Sequence, residues 1–255
     1  MSSVRRVLIN DLFMRRLLFP MICFSPLLWA QGDLVRPVSW KELTPNIADD
    51  QKRIWTYPAR AFKRQNIVPT VAFLATTAAL LTADPGEGKY FRNTTSFHGF
   101  NQTFSSTNSS LLIAAVPISM YTAGFIKHDN KLRKTALLAG EAVADSEILT
   151  TVMKAVDRRA RPNSFSTQGN YWDSWTDGSS TNGSFPSGHT IAAFSVATII
   201  SRQYGSNHRW LPYFAYGVAT LIGFSRLSLG DHFTADVFAG AALGYAISRF
   251  AVLHN

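Results

Sequence analysis

The stretch Pro186–Tyr204, PSGHTIAAFSVATIISRQY, decides the architecture. Pro186, Ser187 and Gly188 stand directly before a long apolar run, and Ser187 is a favourable N-cap. The apolar part, 190–204, is too long for an average strand and reads as a helix. Similar stretches rich in Ala, Leu, Ile and Gly recur at 68–83, 111–126, 136–156, 211–229 and 237–253. No alternating β pattern is sustained and no internal repeat is visible. The expectation is an all-α fold, a helical bundle of about six helices.

Two polar segments interrupt this pattern. Residues 84–110 are rich in Gly, Ser, Thr and Asn and read as a long loop; residues 163–185 read as a second, with Tyr171, Trp172, Trp175, Asp173 and Asp177. Loops of this length inside a compact domain are usually functional or disordered. Trp172 and Trp175 are candidates for a lid or a membrane-interface contact, and equally for a packed loop.

The first 30 residues carry Arg5, Arg6, Arg15 and Arg16, then an apolar run from Leu17 to Trp29 that ends at Ala30. A basic start, a short apolar run and a small residue describe a secretory signal peptide, with an uncleaved N-terminal anchor as the rival reading. Residues 31–66 are polar, with Pro37, Pro45 and Pro58, and read as a leader with a short helix near 50–56. Residues 67–255 then form the helical domain. The one cysteine, Cys23, lies in the signal-like segment, so a chain starting near Gln31 has no thiol for disulfides, nucleophilic catalysis or metal binding. With 46% hydrophobic and 16% charged residues, composition leaves the membrane question open. Several apolar runs fall short of the roughly 20 residues of a span, and 136–156 carries Glu141, Asp145 and Glu147. On those grounds the domain is expected to lie largely outside the bilayer.

The net charge of +9 favours phosphates or an anionic membrane surface as partners. No basic block interleaved with aromatics marks a nucleic-acid groove, so nucleic acid is not an expected partner.

Three segments gather cations and histidines: Lys154 to Pro162, Phe185 to Thr190, and Ser225 to Asp236. A helix opening at Ser187-Gly188 offers free N–H groups to an anion, and Gly188 admits close approach. Lys154, Arg161 and Arg226, if they converge, hold a phosphoryl group, the guanidinium groups in bidentate fashion. His232 and Asp236 are four apart and share a face of a helix. Asp236 then accepts the proton of one ring nitrogen, and the other is free to attack phosphorus. His189 is placed to protonate the leaving oxygen. Arg158 and Arg159 flank the phosphate segment and read as a solvated turn ahead of the alternative, attraction of an anionic head group.

Together these segments resemble the three-part signature of the type 2 phosphatidic acid phosphatase superfamily. Lys154, Arg161 and Pro162 stand in its first part, Pro186, Ser187, Gly188 and His189 in its second, and Ser225, Arg226, His232 and Asp236 in its third. The resemblance covers about 136–250. It implies a helical, metal-independent phosphatase with His232 as nucleophile, Asp236 orienting it and His189 as acid and base. Lys154, Arg161, Ser187, Gly188 and Arg226 would bind phosphate. It also implies a lipid phosphate, lipid diphosphate or small phosphomonoester as substrate, and an extracytoplasmic place in the cell envelope. No cofactor is expected, and vanadate should inhibit. The alternatives are a vanadate-dependent haloperoxidase and a non-catalytic membrane-associated binding protein.

Overall fold

The structure, a computed structural model, describes residues 36–163 and 183–254. The signal-or-anchor segment and Tyr171, Trp172, Asp173, Trp175 and Asp177 lie outside them. Among the described residues there are nine α-helices and no strand. In chain order they are α1 Leu43–Thr56, α2 Pro58–Ala61, α3 Ile67–Asn93, α4 His98–Thr103, α5 Ser106–Ile126, α6 Asn130–Asp157, α7 Gly188–Tyr204, α8 Leu211–Ser228 and α9 Thr234–Ala246. A π-helical segment, Ile247–Val252, extends α9. The six apolar stretches correspond to α3 and α5–α9, and the all-α expectation is met.

Helix α7 is the centre of the bundle, packed by α6, α8 and α9. Its buried face carries Ile191, Ala192, Ala193, Val196, Ala197 and Ile199. Hydroxyls tie these helices where small residues bring them together. Ser146 Oγ of α6 lies 2.9 Å from Ser195 Oγ of α7, and Ser195 Oγ is 3.1 Å from the Gly244 carbonyl of α9. Ser248 Oγ donates in turn to the Ser195 carbonyl. Each donor finds an acceptor without water, as a dry helix interface requires.

The polar loop expected at 84–110 is mostly helix. α3 continues through Pro85, Gly86 and Gly88 to Asn93, and α4 fills 98–103. Pro and Gly in succession normally end a helix. Here tertiary bonds hold the segment: Asp84 Oδ1 accepts the Ala235 amide at 3.3 Å, and Glu87 accepts both the amide and hydroxyl of Thr234. Two carboxylates thus satisfy free N–H groups at the start of α9. Gly88 is required by packing, because a Cβ there would sit 2.7 Å from the Phe233 ring.

The leader is also more ordered than expected. Its helix runs Leu43–Thr56 rather than 50–56, and it docks on α6. Arg36 lies 2.8 Å from Asp50 and 2.9 Å from Glu141, and Gln51 donates to Asp145 at 2.9 Å. Glu141 and Asp145 are therefore buried in a polar interior, while Glu147 is exposed.

The short apolar runs understate the helices. Helices extend past the apolar cores that mark them, and three stretches are long and apolar enough to cross a membrane: Ile67–Asn93, Ser106–Ile126 and Thr234–Val252. α3 and α5 leave Val68, Val71, Leu111, Ile118 and Phe125 at least half exposed. Contiguous apolar surface of this kind suits lipid or a partner rather than water.

Candidate active site

The connection from α8 to α9 turns back on itself, with the amides of Asp231 and His232 both donating to the Arg226 carbonyl at 3.0 and 3.2 Å. This seats His232 in the interior, 3% exposed. Its Nδ1 lies 2.6 Å from the Ser184 carbonyl. A carbonyl only accepts, so Nδ1 carries the proton and Nε2 keeps its lone pair. Asp236 Oδ2 is 3.6 Å from Nδ1, too long for a hydrogen bond. The expected direct bond is thus replaced: Ser184 fixes the tautomer, and Asp236 acts on the ring by charge. Burial holds His232 below the ordinary histidine pKa, with the Asp236 carboxylate pulling the other way. The ring is neutral at neutral pH.

Asp236 is fully buried. Its Oδ2 accepts the Phe233 amide at 2.9 Å, which caps α9, and its Oδ1 accepts from Arg159 at 2.5 Å. Arg159 is not in a solvated turn. It is 1% exposed, lies 2.7 Å from Asp84 through its other terminal nitrogen, and stacks 4.2 Å above the Phe233 ring. The turn is real for Arg158, which is exposed and closes α6 in the left-handed conformation with φ 52°.

His189 stands in the first turn of α7, half-buried. Its Nε2 is 3.0 Å from the Ser106 carbonyl and 2.9 Å from Ser110 Oγ. Burial, and then the positive Arg226, push its pKa down to about 4.

The three cations differ. Lys154, in the last turn of α6, is half-buried, and burial and then Arg161 lower its pKa. Arg161 is more open than Arg226, at 29% side-chain exposure against 0%. Arg226 donates to the Phe104 carbonyl at 2.6 Å, Ser106 Oγ at 2.8 Å and Ser109 Oγ at 3.2 Å. It clamps the α4–α5 junction, so phosphate would meet its Ser106 side. Asp231 bridges the pair, 3.8 Å from Arg161 and 3.7 Å from Arg226, and accepts from Ser106 at 3.1 Å.

Ser187 occupies the N-cap position as expected, but its hydroxyl accepts from Thr190 at 2.9 Å instead of capping an amide. Gly188 has a packing reason beyond anion approach, since a Cβ would lie 2.9 Å from the Thr150 methyl of α6. Both are buried.

Residues 133–254 match the PAP2 superfamily. These residues form a PAP2 domain. Within the chain, 73 residues are 42% identical to a lipid A 1-phosphatase of Porphyromonas gingivalis, covering 29% of this chain and 16% of that protein. Over 68 residues the chain is 41% identical to phosphatidylglycerophosphatase B of Bacillus subtilis, covering 24% of this chain and 34% of that protein. The chain therefore spans about a third or less of the length of these relatives. A crystal structure of a transmembrane PAP2-type phosphatidylglycerolphosphate phosphatase from Bacillus subtilis is 24% identical, with a TM-score of 0.48 over 71% of this chain and 92% of that one.

The PAP2 domain contains every residue singled out from the sequence. It does not contain Asp84, Glu87, Ser106 or Ser110, which α3 and α5 bring to it. No local pattern marks these four; they are ordinary polar residues in a segment that reads as loop.

Asp231 yields a prediction. Its carboxylate faces the two guanidinium groups that a phosphate analogue would use, so it repels the incoming anion. Asp231→Asn is expected to strengthen vanadate inhibition by roughly two- to five-fold, the worth of one partly exposed charge interaction. Weaker inhibition in the variant would show instead that Asp231 helps to hold the anion.

Proposed function

We propose that this chain is a metal-independent phosphatase acting on lipid phosphates through a phosphohistidine. The observation that carries this reading is a buried, neutral His232 whose proton is held on Nδ1 by Ser184, in a site shared with Lys154, Arg161 and His189. Nε2 attacks phosphorus, the bond from phosphorus to the leaving oxygen breaks, and His189 supplies that oxygen with a proton. Water then attacks the phosphohistidine and gives a proton to His189. The phosphorus–nitrogen bond breaks, releasing inorganic phosphate and restoring both rings. Lys154, Arg161 and the Ser106-facing edge of Arg226 offset the negative charge on the equatorial oxygens.

The relatives' names, a lipid A 1-phosphatase and a phosphatidylglycerophosphatase, support a lipid phosphate as the substrate class. The exposed apolar faces of α3 and α5 suit a substrate that arrives through a bilayer. Charge supports an outward-facing site. The helix ends remote from His232 carry Arg60, Lys63 and Arg64 before α3, Lys127 after α5 with Lys131, Arg133 and Lys134 in the opening turns of α6, and Arg202 in the last turn of α7 with Arg209 before α8. Asp129 is the one acidic residue in these connections. Short basic connections stay on the cytoplasmic side, which leaves the site on the other.

The test is phosphate release in excess EDTA from lipid A, phosphatidylglycerophosphate, phosphatidate, a polyprenyl diphosphate and soluble phosphomonoesters. Release from lipids above soluble esters supports the proposal. Peroxide-driven bromide oxidation with vanadate, in place of hydrolysis, would replace it.

The rate should be bell-shaped in pH. His232 must be neutral, so the acid limb of kcat/KM should fall below the ordinary histidine value near 6.5. His189 must be protonated, and in the enzyme alone burial and then Arg226 hold its pKa at about 4. A bound phosphate dianion favours the imidazolium, so the alkaline limb of kcat should lie at higher pH than that of kcat/KM. Coincident alkaline limbs would remove His189 from proton delivery.

A further inference from the structure

Asp84 has no part in the three sequence segments and lies outside the PAP2 domain, yet it stands in line with the nucleophile. Asp84 Oδ2 is 2.7 Å from Arg159 Nη2, and Arg159 Nη1 is 2.5 Å from Asp236 Oδ1. Asp236 Oδ2 is 3.6 Å from His232 Nδ1. Asp84, Arg159 and Asp236 are all 1% exposed or less. Water therefore cannot stand in for any of them, and each charge in the row depends on the next.

We infer that Asp84 and Arg159 are positioning residues for the proposed phosphohistidine chemistry, holding the Asp236 carboxylate at a set place and charge behind His232. The inference rests on that functional reading.

Asp236 does not hydrogen-bond His232, so its effect depends on where its charge sits. Two groups fix that place, the Phe233 amide on Oδ2 and Arg159 on Oδ1. Arg159 is fixed in turn by Asp84 on its second terminal nitrogen and by the Phe233 ring against its plane. Asp84 also accepts the Ala235 amide, so one side chain of α3 sets both the arginine and the first turn of α9. Without Asp84, the guanidinium loses the carboxylate on Nη2, leans on Asp236 and draws that charge away from the imidazole.

The experiment compares wild type, Asp84→Asn and Arg159→Lys as full-length chains in detergent. Lysine keeps the charge but, as a single ammonium, does not bridge two carboxylates as the planar fork does. The readouts are kcat, KM and the acid limb of kcat/KM, together with a thermal melt. The charged groups facing His232 are Asp236, Lys154 and Arg161, with His189 nearby, and none is altered. The expected result is a kcat lower by roughly 10- to 100-fold with KM within about twofold, as for small misplacements of reacting groups. The acid limb should also move to lower pH, because less negative charge at His232 disfavours its imidazolium. Should Asp84→Asn not accumulate as folded protein, Arg159→Lys gives the same readouts.

Folded variants with wild-type kcat and an unmoved acid limb would overturn the inference and leave the phosphatase reading intact. A lowered kcat with an unmoved limb would also overturn it, by showing a structural role only. If wild type and His232→Ala are equally active, the phosphohistidine reading fails and the inference fails with it.

Discussion

His232→Ala is expected to lower kcat by at least about a thousandfold on every substrate, since it removes the group proposed to make the covalent intermediate. The size of the effect follows from the site. His232 is buried, its tautomer is set by Ser184, and Nε2 is the one lone pair of the ring left for phosphorus. Water admitted by the truncation would have to attack the ester directly, without the covalent step that His232 is proposed to supply. The fold should survive, as alanine removes one hydrogen bond to a carbonyl, about 1 kcal/mol. Rapid quench of wild type with a labelled lipid phosphate should trap acid-labile, base-stable protein-bound phosphate, and His232→Ala should trap none. Trapped phosphate in the variant would assign the nucleophile elsewhere.

His189→Ala is expected to lower kcat by roughly 10²- to 10⁴-fold on lipid phosphates, the usual worth of a positioned acid. On an aryl phosphate with an acidic phenol as leaving group the first step needs little protonation. There the variant should lose much less, and protein-bound phosphate should accumulate because water activation is then slow. Ser110→Ala removes only the hydroxyl 2.9 Å from His189 Nε2, and its effect should be smaller than that of His189→Ala on lipid substrates. Equal losses on lipid and aryl substrates would assign His189 to binding rather than to proton transfer.

Several site features were legible in the chain because they are local in sequence. Lys154 with Arg161, Ser187 with Gly188 and His189, and Arg226 with His232 and Asp236 each lie within one turn-and-helix unit, so spacing alone groups them. The six long helices were legible for the same reason: hydrophobicity runs along the chain. Where packing decides, local reading went astray. Arg159 looked like surface because a charged run at a helix end usually is, but Asp84 and Asp236 make its burial possible. The Pro85–Gly88 stretch looked like a loop because those residues break isolated helices. It remains helical where Asp84 and Glu87 anchor it to α9. The roles of Ser106 and Ser110 depend on contacts with residues about 80 to 120 positions away.

The sequence by itself determined the helical class and grouped the candidate site residues into three segments, since these are written in periodicity and short spacing. Only the tertiary structure decided which group holds the His232 proton, how exposed each cation is, and that a carboxylate from α3 backs Asp236. Those depend on distances between segments far apart in the chain, where burial gives each charge its partner and no local pattern records the pairing.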